Sequence, residues 1–134
     1  MDSEEAASRW AATWTTAWPA HDVEALVGLY AEACIHRSTP FRRPHLGRQG
    51  VREYLSAAFA DERMVDEVRF GTPVVRRDRA WVEYWTRFHD QRGSAMTLAG
   101  CATARFDGDG LATEVRDYWH LEQGHRTPPD DWGR

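Results

Sequence analysis

Asp117 has the most chemically telling setting in the chain, inside the run GLATEVRDYWH at 110–120. Read as a strand, the run alternates, because side chains repeat every two residues. Leu111, Thr113, Val115, Asp117 and Trp119 share one face; Ala112, Glu114, Arg116, Tyr118 and His120 share the other. The first face is apolar except for one carboxylate. A lone Asp among Leu, Val and Trp is costly to bury unless it is paired, protonated or facing a wet cavity. A second carboxylate, Glu83, lies in RAWVEYWTRF, where the two faces are harder to separate. One carries Val82, Tyr84 and Phe88, the other Trp81, Glu83, Trp85 and Arg87. An even-length turn over 90–93 places the Glu83 set inside. A one-residue register change reverses the choice and leaves Glu83 to pair with an Arg outside. With Glu83 inside, Glu83 and Asp117 share one cavity, with Arg87 near its mouth. Two carboxylates close together raise one pKa and make an acid/base pair. Asp117 and Glu83 are therefore the expected catalytic residues.

The elements that must position them follow from the hydrophobic period. Residues 3–18 read as a helix: Glu4 and Glu5 suit its N-terminus, Pro19 ends it, and Trp10, Trp14 and Trp18 recur at i, i+4, i+8 on one stripe. Such a stripe packs a core, and its irregular gaps suit an apolar ligand. A second helix starts at Asp22 as cap, buries Val23, Leu26, Val27 and Tyr30, and runs to about Ala33. CIHRSTPFRRPHLG is then a short extended piece and a loop. A third helix covers roughly 48–60, with Val51, Tyr54, Leu55, Ala58 and Phe59 inward. From residue 65 the period changes to two: VDEVRFG, TPVVRRD, RAWVEYWTRFHD, SAMTLAGCATARF and GLATEVRDYWHLE read as strands with turn-rich separators. Three helices followed by an antiparallel sheet is an α+β layout with the helices on one face. In SAMTLAGCATARF the wholly apolar set from Met96 to Phe106 faces inward, and a hairpin turning at 107–110 brings Gly100 near Asp117. The tail GHRTPPDDWGR is expected to lie over the surface.

Composition narrows the classes further. The 134 residues fit one domain, 1–134, without repeat or linker. Net charge is −4 and no basic stripe occurs, which argues against a nucleic-acid partner. No apolar run reaches membrane-spanning length, and the beginning MDSEEAASRW is acidic, unlike a signal peptide. Cys34 and Cys101 sit far apart in apolar segments and read as free thiols of a reducing cytoplasm. None of the six histidines forms H-x-x-x-H and neither cysteine lies in C-x-x-C, so no metal site is expected. No G-x-S-x-G elbow or phosphate-binding glycine loop occurs, and no cofactor is expected.

The order of a Trp-rich first helix, DVEALVGLYAE, a loop with PF, GRQGVREYL, WVEYW, a Gly-containing strand, RFDGDGL and VRDYW resembles the nuclear transport factor 2-like superfamily, and within it the SnoaL-like small proteins. The resemblance covers nearly the whole chain. It implies a curved antiparallel sheet wrapped by three helices into a cone, a pocket in the cone, and a homodimer through the outer sheet face, with Tyr84 and Tyr118 on that face. Ketosteroid isomerases of this superfamily carry a base near the place of Ser38 and a buried Asp at the place of Ala102, so neither group is present here. Members similar to limonene-epoxide hydrolase use the Asp that VRDYW matches at Asp117, with an Arg and an Asp at places that look like Trp81 and Glu83. SnoaL-type polyketide cyclases use an acidic base, for which Asp117 serves. Scytalone-dehydratase-like members use His, Tyr and Asp, for which Tyr30 and His36 are candidates. The resulting expectation is a cytoplasmic homodimer that binds a small apolar molecule in the cone, with Trp14, Trp18, Tyr30, His36, Phe41, Tyr54, Trp85 and Trp119 around the ligand. It acts there as a cofactor-independent acid/base enzyme of cyclase, isomerase or hydrolase type. The alternative is a non-catalytic binding or interaction module.

Overall fold

A computed structural model describes all residues, 1–134. It contains helices α1 (Ser3–Ala20), α2 (Val23–Val27) and α3 (Gly47–Ala60), and strands β1 (Tyr30–Arg37), β2 (His45–Leu46), β3 (Glu62–Phe70), β4 (Val74–Arg76), β5 (Arg79–Asp90), β6 (Ala95–Phe106) and β7 (Ala112–Gln123). The helices pack on a curved, mostly antiparallel sheet of order β2-β1-β7-β6-β5-β3, with β4 paired to the start of β5. This is the α+β class expected. No helix is long and apolar enough to cross a membrane.

The first two helices begin where the sequence provides a side-chain cap, whereas α3 starts after Leu46 without one. Asp2 caps α1 by accepting from the Glu5 N–H at 2.8 Å, and Asp22 caps α2 by accepting from Ala25 N–H at 3.1 Å. Pro19 lies inside the last turn of α1, one residue beyond the expected end. The second helix is much shorter than expected: it stops at Val27, and the chain from Tyr30 is strand. The cause is tertiary. Residues 30–37 run parallel to β7, with Tyr30 opposite Ala112 and His36 opposite Val115, and this pairing outweighs the helical pattern of LVGLYAEA. Gly28, a poor helix former, makes the break cheaper. The helical period around Tyr30 concealed this one parallel pair in the sheet.

The long strands carry the core on one face. Ala80, Val82, Tyr84, Thr86 and Phe88 of β5 are buried, while Trp81 and Glu83 between them are exposed. The register is therefore the reverse of the one that puts Glu83 inside: Glu83 and Trp85 lie on the outer face, and Tyr84, expected outside, points into the core. Ala102, Ala104 and Phe106 of β6 are buried, as expected of the apolar set. Trp10, Trp14 and Trp18 form a ladder along α1 with ring centroids 6.0 and 5.5 Å apart. Both cysteines are free.

The C-terminal segment crosses the outer face of the sheet. Thr97 Oγ1 donates to Gly124 O and accepts from Arg126 N–H; Trp85 Nε1 donates to Arg126 O at 2.8 Å. Trp132 meets Trp85 edge-on and carries Arg69 over its ring, and Gly133 N–H donates to Glu83 Oε1 at 3.3 Å. Glu83 and Trp85 thus anchor the tail, which explains why a charged residue and an indole occupy that face.

Candidate functional site

Between the helices and the concave face of the sheet lies a cavity of about 790 Å³, of the size of a small-molecule site. Its lining is mostly hydrophobic and comes from α1, α3, the β1–β2 loop and six strands. Asp117 stands in its wall, on β7 opposite Ala102, and Gly100 is opposite Trp119, two residues from the pairing expected but on the same face. Val115, Asp117 and Trp119 share this face as the alternation predicts. Ahead of them a bulge between Arg105 and Phe106 shifts the register, so Ala112 is buried instead of Leu111 and Thr113.

Asp117 accepts one side-chain hydrogen bond, from Tyr84 Oη to Oδ1 at 2.7 Å. Removal from water pushes its pKa up to about 7; the Tyr84 hydroxyl and the Tyr118 backbone N–H act in the opposite direction and lose. Burial raises the Tyr84 hydroxyl well above the usual phenol range, and the neighbouring Asp117 charge raises it further. Tyr54, on α3, is raised by burial first and then by the same charge. Both phenols are protonated donors at neutral pH. The Tyr84 ring reaches Asp117 by passing over β6 at Gly100, where a Cβ would stand 2.5 Å from Tyr84 Oη and 2.6 Å from the Tyr118 carbonyl oxygen. Only glycine fits that crossing.

The second carboxylate of the cavity is Glu62, at the start of β3, and not Glu83. Glu62 is 8 % exposed, accepts from Trp18 Nε1 at 3.0 Å, and lies 2.9 Å from His21 Nε2. Burial raises its pKa, and the His21 and Trp18 contacts oppose the rise. The sequence did contain a signal for it: Glu62 comes three residues after the inward-facing Phe59, so the first strand residue enters close to the buried end of α3. His36 is 3 % exposed, and burial, then the charge of His45, lowers its pKa to about 3, so the ring is neutral. Its Nδ1 meets Tyr30 Oη at 2.9 Å and its Nε2 has no protein partner. Trp14 Nε1 is likewise unpartnered.

Of the residues expected around a ligand, Trp14, Trp18, His36, Tyr54 and Trp119 line the cavity with Asp117. Tyr30 is fully buried behind His36 and outside the lining, because it is packed against Trp10 and bonded to His36. Phe41 is 98 % exposed at the tip of the β1–β2 loop. Trp85 and Glu83 are on the opposite side of the sheet, where the reversed register of β5 puts them. Ser38 and Ala102 both line the cavity. The arrangement can hold an apolar molecule and present it to one carboxyl group poised near neutrality, with two phenol donors close by.

A family model described as a SnoaL-like domain matches residues 11–115. A comparison with curated proteins returns no significant match.

Proposed function

Because the chain belongs to the SnoaL-like domain family, on a superfamily fold that serves both binders and enzymes, we propose that it takes a small, largely apolar molecule into the cavity and carries out acid/base chemistry on it at Asp117. The observation that carries this is the Asp117 carboxyl in the wall of an apolar cavity, with its pKa pushed up to about 7. A base is most effective when its pKa lies near the working pH, since it is then both ionised and basic. An exposed Asp is ionised at pH 7 but too weak a base. In the proposed step Asp117 takes a proton from an activated C–H or a water beside the ligand. The Tyr84 hydroxyl holds the carboxylate by its 2.7 Å bond. Tyr54 supplies a hydrogen bond to the ligand oxygen on which charge develops. Glu62 is committed to Trp18 and His21 and serves as a support of the wall.

Proton–deuterium exchange tests the proposal. In D2O, NMR should show the protein catalysing exchange at acidic C–H positions in a panel of apolar aromatic ketones. D117N should slow that exchange by about a hundredfold or more. Exchange at the wild-type rate in D117N removes Asp117 from the mechanism. A purely binding role is the second reading. It is favoured by Trp14 Nε1 and His36 Nε2, two unpartnered polar atoms on lining residues that suit a ligand whether or not it reacts. Saturable ligand binding with no exchange at any pH selects it.

A further inference from the structure

Three potential metal ligands that are remote in sequence converge on the side of the sheet away from the cavity. His89 Nδ1 lies 2.7 Å from Asp66 Oδ2, and His125 Nε2 lies 3.3 Å from the same oxygen. The three donor atoms all fall within 4.8 Å of one another. Asp66 comes from β3, His89 from β5, and His125 from the segment just after β7. Their spacing in the chain contains no metal-binding pattern, which is why inspection of the histidine motifs predicts none.

Each donor is placed by a separate backbone device. Val65 pairs with Phe88 and Glu67 with Arg87, so Asp66 is the extra residue of a β-bulge, and a bulge re-aims the side chain it carries. His89 follows the buried Phe88 and so takes the outer side of β5. His125 follows Gly124, whose φ of +86° turns the chain back over the sheet. It is pinned on both sides: Gly124 N–H donates to Ala95 O, and Arg126 N–H donates to Thr97 Oγ1. The imidazoles stand edge to face with centroids 4.9 Å apart, so their nitrogens converge without stacking.

We propose that Asp66, His89 and His125 bind a divalent transition-metal ion, best matched by Zn2+, and that the ion clamps the C-terminal segment to the sheet. Two imidazoles and one carboxylate suit a borderline ion and not Ca2+ or Mg2+, which prefer all-oxygen shells. Zinc takes nitrogen and oxygen donors at about 2.0–2.2 Å, which puts tetrahedral neighbours about 3.3 Å apart. The His125–Asp66 pair already has that spacing, and the His89–Asp66 pair has to open by a few tenths of an ångström. The three side chains are between 25 % and 29 % exposed, so an ion can enter from solvent and keep water in its fourth position. The ligand atoms are His89 Nδ1, His125 Nε2 and Asp66 Oδ2, which the ion binds in place of the His89–Asp66 hydrogen bond and of the 3.2 Å contact of His125 Nε2 with the Phe88 carbonyl oxygen.

Titrating Zn2+ alone into the untagged, metal-stripped full chain tests the proposal, by calorimetry and by competition with a chelating dye. One equivalent should bind, and H89A, H125A and D66N should each weaken binding at least tenfold, while H120A should not. D66N keeps the shape and neutral hydrogen bonding of the site, so it remains informative if an alanine variant unfolds, which circular dichroism detects. Zn2+ should also slow proteolysis after Arg126 in the wild type and not in H125A. Wild-type binding no tighter than that of the H89A/H125A double variant overturns the proposal, as does binding that survives D66N and both histidine variants undiminished.

Discussion

A carboxyl group at the pKa given for Asp117 makes stability depend on pH in a direction opposite to the usual aspartate. Its folded-state pKa of about 7 lies above the ordinary 3.8, so the native state holds the proton more tightly than the unfolded chain. That contribution is fully present below pH 3.8 and is lost as the pH rises through 7. D117N cannot ionise, so its thermal stability relative to wild type should improve between pH 4 and pH 8. A gap of about three pH units corresponds to at most about 4 kcal/mol, and melting curves at the two pH values measure it. Y84F removes the one side-chain hydrogen bond that lowers the Asp117 pKa. Its exchange activity should rise with pH along a curve displaced to higher pH than the wild-type curve. Asp117 could be singled out from sequence because its neighbours two residues away on either side are apolar. Its partner could not be. Tyr84 and Glu83 are adjacent, and which of them turns inward depends on a register that RAWVEYWTRF, apolar on both faces, leaves undetermined.

The elements hold these residues through close approaches of backbone to ring. Gly100 is the narrowest of them, since a methyl group there meets the Tyr84 ring and the Tyr118 carbonyl together. G100A should cost about 1–3 kcal/mol as an overpacking change. Because relief comes most easily by displacing the ring, G100A should also shift the pH dependence of exchange as Y84F does; a stability loss with an unchanged profile would separate the two effects. The extents of the three long strands, the third helix and the Trp stripe of the first helix could be read directly from patterned runs of ten residues or more, but not which face of β5 turns inward. The end of the second helix and the start of the first strand could not. There the local pattern is helical, and only the partner strand, some eighty residues away, decides otherwise.

At the level of the whole molecule the sheet has two working sides. The concave side encloses the cavity, and the convex side carries the C-terminal segment over Glu83 and Trp85. Beyond the reach of that segment, Trp81 and Tyr118 stay 36 % and 48 % exposed. The homodimer that the family resemblance implies is tested on this face by light scattering, in which a dimer gives twice the 15.4 kDa chain mass and W81E the mass of one chain. The tail itself was legible only as a turn-rich end, since the hydrogen bonds that hold it come from strand residues whose outward orientation the sequence left open.

The ladder of Trp10, Trp14 and Trp18 has an optical consequence. Indoles at centroid distances of 6.0 and 5.5 Å couple their excited states, and all three belong to the cavity wall. The row therefore acts as a built-in antenna, with a coupled circular-dichroism band that reports the relative tilt of its rings. Light absorbed at the Trp10 end can migrate to Trp18, whose indole N–H is held by a buried carboxylate. A molecule that packs against this row inside the cavity changes its emission, so such occupancy can be followed by intrinsic fluorescence, without a label and before any chemistry occurs.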